Sequence, residues 1–103
     1  MKKSIINSDK INIIANSLII HNDLDYNKLK SSEEFQELGL ALTQQLTKPN
    51  KTRDQEVIDE IGDCIIRLAV LIKIYDADLI NKRIDHKIKV FVEMINSGKY
   101  PRV

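Results

Sequence analysis

The stretch over residues 64–74 constrains the fold of this chain more than any other feature, because it is apolar on nearly every side of a helix. A helix of that kind must be buried in a core or covered by a second subunit. Signals for strands are weak throughout the sequence, with few glycine or asparagine turns between alternating runs. The pattern therefore predicts an all-α protein arranged around this helix.

Apolar residues recur at helical spacing in four segments. The first predicted helix spans residues 9–21 and the second spans residues 28–46. The third begins at Thr52 or Asp54 and runs to about residue 75, and the fourth spans residues 78–96. Short connections between such helices favour neighbours that pack side by side. We therefore expect a single domain over residues 1–103, with helix–turn–helix pairs that form a four-helix bundle.

The breaks between the first three helices have their own signals. The polar segment over residues 21–26 is expected to be a turn. Pro49 ends the second helix, because proline lacks a backbone donor and disfavours a helical residue before it. The apolar stripe predicted for the second helix consists of Phe35, Leu38, Leu42 and Leu46.

The composition excludes several classes of function. The 103 residues are 43% hydrophobic and 30% charged, which is typical of one globular domain. The formal net charge is +1 and only 5% of residues are aromatic, so neither a nucleic-acid surface nor a membrane anchor is expected. The one cysteine, Cys64, lies in the apolar stretch and is expected to be buried. A chain with a single cysteine fits a reducing compartment, and we expect a cytoplasmic protein.

Two couples of carboxylates are spaced like neighbours on one helix face. They are Glu34-x-x-Glu37 in the second helix and Glu60-x-x-Asp63 in the third. Residues three apart lie on adjacent turns of the same face. Two such helices packed together would point four acidic groups at one place, and each adjacent pair of charges costs roughly 4 kcal/mol at the effective dielectric of a protein surface. A divalent cation removes that cost, and carboxylate oxygens suit Mg²⁺ or Mn²⁺.

The pattern alone leaves an alternative open, because one i,i+3 pair of carboxylates is most often a solvated helix face. Favourable charges at a helix N-terminus explain other acidic residues equally well. Both couples, however, border apolar stripes on successive helices. Lys30 and Ala41 lie one turn to either side of the first couple, where a small residue leaves room for a ligand and a lysine can meet a phosphate.

Several segments resemble a known family. Glu33-Glu34-Phe-Gln-Glu37, followed by Glu60-Ile-Gly-Asp63, resembles the EExxE…ExxD signature of the MazG-like all-α nucleotide pyrophosphohydrolases. Tyr75-Asp-Ala-Asp-Leu79 resembles the turn that leads to the last helix of that family. His86-Lys-Ile-Lys89 and the tail from Met94 to Tyr100 resemble the closing segment of its short, single-domain members. The resemblance covers roughly residues 28–100.

The resemblance implies roles for individual residues. It implies that Glu34, Glu37, Glu60 and Asp63 bind Mg²⁺, with Mn²⁺ as a substitute, and that Glu33 supports them. It also implies that Lys30 and Lys87 contact phosphates, and that Asp85 or His86 stands where the family commonly has an asparagine. Arg67 departs from the family, which usually has an apolar residue there. We expect it to pair with Asp63, and contact with the substrate is the alternative.

The family chemistry is the hydrolysis of a nucleoside triphosphate to the monophosphate and pyrophosphate. The three glycines, Gly39, Gly62 and Gly98, are scattered and form no phosphate-binding loop. The resemblance therefore implies metal-assisted hydrolysis in which Glu34 or Glu37 orients or deprotonates the attacking water. It also implies a homodimer or a dimer of dimers, which agrees with the apolar third helix.

Two other interpretations stay open at this point. One is a relative with a narrower substrate, such as phosphoribosyl-ATP or dUTP and dCTP. The other is a non-catalytic helical interaction module that keeps the fold. Metal binding separates the module from the enzymes, and a substrate panel separates the enzymes from one another.

Overall fold

Four α-helices account for most of the chain. The computed structural model describes residues 4–6, 8–48 and 54–99. The helices are α1 (Asp9–His21), α2 (Leu24–Thr47), α3 (Asp54–Tyr75) and α4 (Ala77–Asn96), and the described ranges contain no strand. The all-α prediction is therefore confirmed. The predicted helix stop at Pro49, the alternative cap at Thr52 and the end of the tail at Tyr100 lie outside the described residues.

The turn predicted over residues 21–26 was too long. Only Asn22 and Asp23 separate α1 from α2. Asp23 is the N-cap of α2, where its Oδ1 accepts a hydrogen bond of 2.7 Å from the backbone N–H of Tyr26. An aspartate at this position satisfies a backbone donor that the first helical turn leaves free, and acidic residues in that turn also favour the helix dipole. The polar residues after Asp23 are therefore the first turn of α2.

The pairing of α2 with α3 forms most of the interior. The two helices are antiparallel, since residues early in α2 meet residues late in α3 and Gln45 near the end of α2 donates to Asp54 at the start of α3. We call this contact the α2–α3 seam. Its buried residues are Asn27, Ser31, Glu34 and Ala41 on α2, and Val57, Cys64, Arg67 and Val70 on α3.

The apolar stripe predicted for α2 contains none of the buried residues of this helix, although Phe35 and Leu38 are half-buried. Leu42 is 44% exposed and Leu46 is 84% exposed. The residues that face α3 instead follow the line through Asn27, Ser31 and Glu34, at spacings of four and three. Polar side chains are tolerated there because most of them find partners. The hydroxyl of Ser31, for example, donates to the carbonyl of Asn27 at 2.8 Å.

Helix α1 covers the seam from one side and approaches α3 more closely than α2. Ala15 is its fully buried residue. The side chain of Asn27 holds the end of α1 in place, because its Nδ2 donates to the carbonyls of Leu18, Asn22 and Asp23 at 3.2, 3.4 and 3.2 Å. Carbonyls at a helix C-terminus lack partners within the helix, so this amide supplies the missing donor.

Helix α4 begins after a single connecting residue. Asp76 has a φ of 111° and caps α4, since its Oδ1 accepts hydrogen bonds from the backbone of Asp78 at 2.9 Å and of Leu79 at 3.3 Å. Within the described residues α4 approaches only α3, and none of its residues is buried. Its exposed large apolar residues are Leu79, Ile84, Ile88, Val92, Met94 and Ile95.

The accessible surface is large for a chain of this size. The protein exposes 8618 Å². A folded monomer of 11.9 kDa is expected to expose about 6,000 Å². Large apolar side chains are exposed on all four helices. None of the four described helices contains a stretch long and apolar enough to cross a lipid bilayer.

Candidate metal centre

Three carboxylates from two helices meet at the α2–α3 seam. Glu34, Glu37 and Glu60 each offer one oxygen, and these three oxygens lie within 4.8 Å of one another. Glu34 and Glu37 are one turn apart on α2, and the antiparallel path of α3 brings Glu60 opposite them. We call this group the carboxylate cluster.

Two oxygens of the cluster have no partner among the described residues. Glu34 is only 9% exposed, and its Oε2 is buried without a hydrogen bond. The Oε2 of Glu60 is buried without a hydrogen bond as well. Leaving a buried carboxylate oxygen unpaired is costly, so each of these atoms is suited to a cation.

The geometry of the cluster fits a hard divalent ion. Mg²⁺ binds oxygen at about 2 Å in an octahedral arrangement, so ligand oxygens on opposite sides of one ion are about 4 Å apart. A cluster whose oxygens are separated by at most 4.8 Å needs only small side-chain shifts to reach that spacing. The all-oxygen donor set also matches Mg²⁺ or Mn²⁺ better than a softer metal.

The electrostatics of the cluster are those of crowded negative charge. Burial raises the pKa of Glu60 above its usual 4.5, and the charge of Glu37 is the next largest cause. The charges of Asp63 and Glu34 raise this pKa further. Without a cation, Glu60 therefore holds a proton more readily than a solvated glutamate does.

Lys30 neutralises part of the cluster. Its Nζ lies 3.3 Å from Oε1 of Glu34 and 3.6 Å from Oε2 of the exposed Glu33. The hydrogen bond to Glu34 is the largest cause of the raised pKa of Lys30. The two oxygens of Glu34 thus have different environments, because Oε1 faces a lysine and Oε2 has no partner among the described residues.

The fourth predicted ligand lies beside the cluster. Asp63 is exposed and does not belong to the group of three converging oxygens. It lines a pocket of about 250 Å³ together with Lys30, Glu34 and Arg67. Its charge still contributes to the raised pKa of Glu60, so it is within electrostatic reach. Its role as a metal ligand stays a prediction.

A second pocket, of about 290 Å³, adjoins the other side of the cluster. Glu37 and Glu60 line it together with Glu56, which lies one turn before Glu60 on α3. The small residue predicted to leave room for a ligand, Ala41, lines this pocket too. The acidic surface therefore extends from the cluster toward the start of α3.

The predicted pairing of Arg67 with Asp63 was wrong. Within the described residues, no carboxylate oxygen lies within 4 Å of the guanidinium of Arg67. Its Nη1 instead donates to Oδ1 of Asn27 at 3.2 Å. The reason is the direction of the two side chains, because Arg67 faces α2 across the seam and is 7% exposed, whereas Asp63 is exposed.

The sequence analysis missed Asn27. The sequence does contain a pattern that could have identified it. Asn27 lies seven residues before Glu34, with Ser31 between them, and these spacings place three polar residues on one face of a helix.

Lys87 and Asp85 lie on α4, far along the chain from the cluster. Both are exposed, and neither lines a pocket beside the carboxylates. Neither pocket beside the cluster is lined by a residue of α4. Their contact with substrate stays a prediction.

Cys64 is buried at the seam, as predicted. Its Sγ–H donates to the backbone carbonyl of Glu34 at 3.3 Å. Burial raises the pKa of this thiol, and the neighbouring carboxylates, Glu34 first, raise it further. A thiol held neutral in this way is a packing residue rather than a metal ligand.

Comparisons with protein-family models, with curated proteins and with solved structures gave no match to this chain. The resemblance to the MazG-like enzymes therefore rests on the motifs of the sequence alone.

Proposed function

We propose that this protein is a Mg²⁺-dependent nucleoside triphosphate pyrophosphohydrolase of the MazG-like kind. The observation that carries the proposal is the convergence of Glu34, Glu37 and Glu60, with two buried oxygens that lack partners among the described residues. A structural helix contact gains nothing from three crowded carboxylates, whereas a cation-binding site requires them. The cluster also falls on the residues that match the motif of the family.

The three glutamates would hold the ion, and Asp63 would join them from the rim. A bound Mg²⁺ supplies charge neutralisation for phosphate oxygens and lowers the pKa of a water molecule. Glu37 is the better placed of the two candidates to orient or deprotonate that water. It is exposed, whereas Glu34 is buried and already engaged by Lys30.

Lys30 would balance the negative charge of the substrate. It stands 3.3 Å from Glu34 at the edge of the pocket shared with Asp63. The chain has no glycine-rich loop to surround phosphates with backbone donors, so side chains must take that task. A raised pKa keeps this lysine charged over the whole neutral range.

The activity is tested by incubating the purified protein with Mg²⁺ and a panel of NTPs and dNTPs. We expect release of pyrophosphate and the monophosphate, with activity lost in excess EDTA and restored by Mg²⁺ or Mn²⁺. Release of inorganic phosphate with a nucleoside diphosphate, or activity that survives EDTA, contradicts the proposal. Including phosphoribosyl-ATP, dUTP and dCTP in the panel separates the general enzyme from a narrower relative.

We further propose that a second copy of the chain covers the exposed apolar surface, in a homodimer or a dimer of dimers. The surface in excess of a monomer is roughly 2,600 Å² per chain, or about 5,200 Å² for two chains, which is at the upper end of the total area that obligate dimers bury. The apolar stripe of α4 and the exposed apolar residues of α3 supply that surface. A reducing compartment such as the cytoplasm suits the buried thiol at the seam.

Changing Ile88 to Glu should dissociate this assembly. Ile88 is 52% exposed in the middle of the apolar stripe of α4, where a charge would be buried by a partner. Lys89→Glu is the control, because it places the same side chain at an exposed polar position about 100° around the helix from Ile88, outside the apolar stripe. Light scattering should give an oligomer for the wild type and the control, and a smaller species for Ile88→Glu. A monomeric wild type at micromolar concentration contradicts the proposal.

A non-catalytic interaction module is the second candidate function. The position of Lys87 and Asp85 outside the described site and the unpartnered face of α4 favour it. Calorimetry with Mg²⁺ or Mn²⁺ distinguishes the two, because the enzyme must bind a metal and the module need not.

A further inference from the structure

Arg67 is a buried cation without a counter-charge among the described residues. It is 7% exposed, and no described carboxylate oxygen lies within 4 Å of its guanidinium. A guanidinium always carries its charge, so it cannot escape the cost of burial by losing a proton. Buried charges of this kind are normally paired with an anion.

Asn27 fixes the direction of this side chain. Its Oδ1 accepts the hydrogen bond from Nη1 of Arg67, and its Nδ2 donates to two carbonyls at the end of α1 and to the carbonyl of Asp23, the N-cap of α2. A guanidinium carries five N–H donors, and this contact uses one of them. The remaining donors have no hydrogen-bond partner among the described residues, and none of them is a fully buried unpaired atom, so they keep contact with solvent.

Arg67 also lines the pocket of about 250 Å³ beside the carboxylate cluster. Lys30 lines the same pocket, so two cations and two carboxylates, Glu34 and Asp63, surround it. The charges of this lining sum to zero, and the cluster adds the negative charge of Glu37 and Glu60 next to it. An anion is therefore repelled until a cation neutralises the cluster, and it is attracted afterwards.

We propose that Arg67, with Lys30, binds a phosphate group of the substrate in this pocket, and only when the cluster holds its divalent cation. The inference rests on the proposed function, because it takes the phosphate to belong to the nucleotide hydrolysed at the cluster. The planar fork of an arginine matches two oxygens of a phosphate at once, which a lysine does not. Arg67 is thus a substrate-binding residue that fixes the position of the phosphate chain relative to the cluster.

The test measures the binding of pyrophosphate rather than turnover. Calorimetry is carried out with pyrophosphate in excess Mg²⁺ and again in EDTA, for the wild type, Arg67→Met and Arg67→Lys. Lys73→Met is the matched control, since it removes a cation from the same helix at a different pocket. In parallel, the ¹H–¹⁵N signal of the Arg67 side chain is followed by NMR during the titration.

We expect wild type and Lys73→Met to bind pyrophosphate only with Mg²⁺, and Arg67→Met to bind at least tenfold more weakly. Arg67→Lys keeps the charge and serves where the Met variant does not fold. Arg67→Lys should also bind pyrophosphate more weakly than the wild type. In the wild type, the NMR signal of the Arg67 side chain should shift as pyrophosphate binds. The affinity of each variant for Mg²⁺ is measured as a control, and it should stay within twofold of the wild-type value.

Three results overturn the inference. They are wild-type affinity for pyrophosphate in both Arg67 variants, an Arg67 signal that does not move on binding, and a wild type that binds no pyrophosphate. Either of the first two results would mean that Arg67 has only a structural role, through its hydrogen bond to Asn27. If pyrophosphate binds through Arg67 but no NTP is hydrolysed, the proposed function fails and the anion site stands. If NTPs are hydrolysed equally well by Arg67→Lys, only the anion site fails.

Discussion

Replacing Glu60 with Gln is expected to abolish pyrophosphate release and, at the same time, to make the metal-free protein more stable. Glutamine keeps the size of the side chain and removes its charge. The loss of a ligand removes the neutralisation on which hydrolysis depends, so a fall in kcat/KM of at least a thousandfold is expected. Binding of Mg²⁺ measured by calorimetry should be lost in parallel.

The gain in stability follows from the raised pKa of Glu60, which has burial as its largest cause. A carboxyl group with a raised pKa binds its proton more tightly in the folded protein than in the unfolded chain. The contribution of this carboxyl group to stability is therefore greatest below the usual pKa of 4.5 and declines as the pH rises through the higher folded value. The glutamine variant lacks this decline, so in EDTA at neutral pH it should melt a few degrees above the wild type.

Melting curves between about pH 4 and pH 8, in EDTA and in Mg²⁺, check both effects. Mg²⁺ should stabilise the wild type and leave the Glu60→Gln variant unchanged. The matched control is Asp59→Asn, which removes an exposed carboxylate next to Glu60 and should keep metal binding and activity. A Gln variant that binds Mg²⁺ like the wild type would show that Glu60 is not a metal ligand. A Gln variant that melts below the wild type in EDTA would show that the charge of Glu60 does not destabilise the metal-free protein.

Replacing Asn27 with Ala is expected to cause the largest loss of stability in the chain. The change removes three hydrogen bonds to the junction of α1 and α2 and leaves the guanidinium of Arg67 buried without its partner. Removing one member of a buried polar pair usually costs several kcal/mol, so we expect a loss of about 3 kcal/mol in the free energy of unfolding. For a domain of marginal stability this is a large fraction of the total.

Urea denaturation followed by circular dichroism measures that loss. Asn16→Ala is the matched control, because Asn16 is exposed on α1 and should change the stability by less than about 0.5 kcal/mol. The double variant Asn27→Ala/Arg67→Met should lose less than the sum of the single changes, since it removes the orphaned charge with its partner. Additive losses would mean that the two side chains are not coupled.

The helices were predictable from the sequence, whereas the face that α2 buries was not. The helical period of the apolar residues identifies all four segments, and the nearly all-apolar stretch over residues 64–74 indicates the helix at the centre. Periodicity ranks faces by hydrophobicity, so it selected the stripe ending in Leu42 and Leu46. It cannot recognise that Asn27 and Ser31 have partners that make their burial tolerable.

The site was predictable as far as local geometry determines it. The i,i+3 spacing places Glu34 and Glu37 side by side on any helix, and one helix pairing then brings Glu60 opposite. The partner of Arg67 was not predictable in this way. Asp63 lies four residues before Arg67 on the same helix. The acceptor that Arg67 uses is Asn27, which is forty residues away in sequence.

The single cysteine gives this molecule a natural reporter. Its thiol lies against the carbonyl of Glu34, so a reagent reaches the sulfur only when the two longest helices separate. The rate of alkylation of Cys64 therefore measures how often that separation occurs, without any introduced label. Any ligand that links the two helices would slow the reaction in proportion to the occupancy of its site.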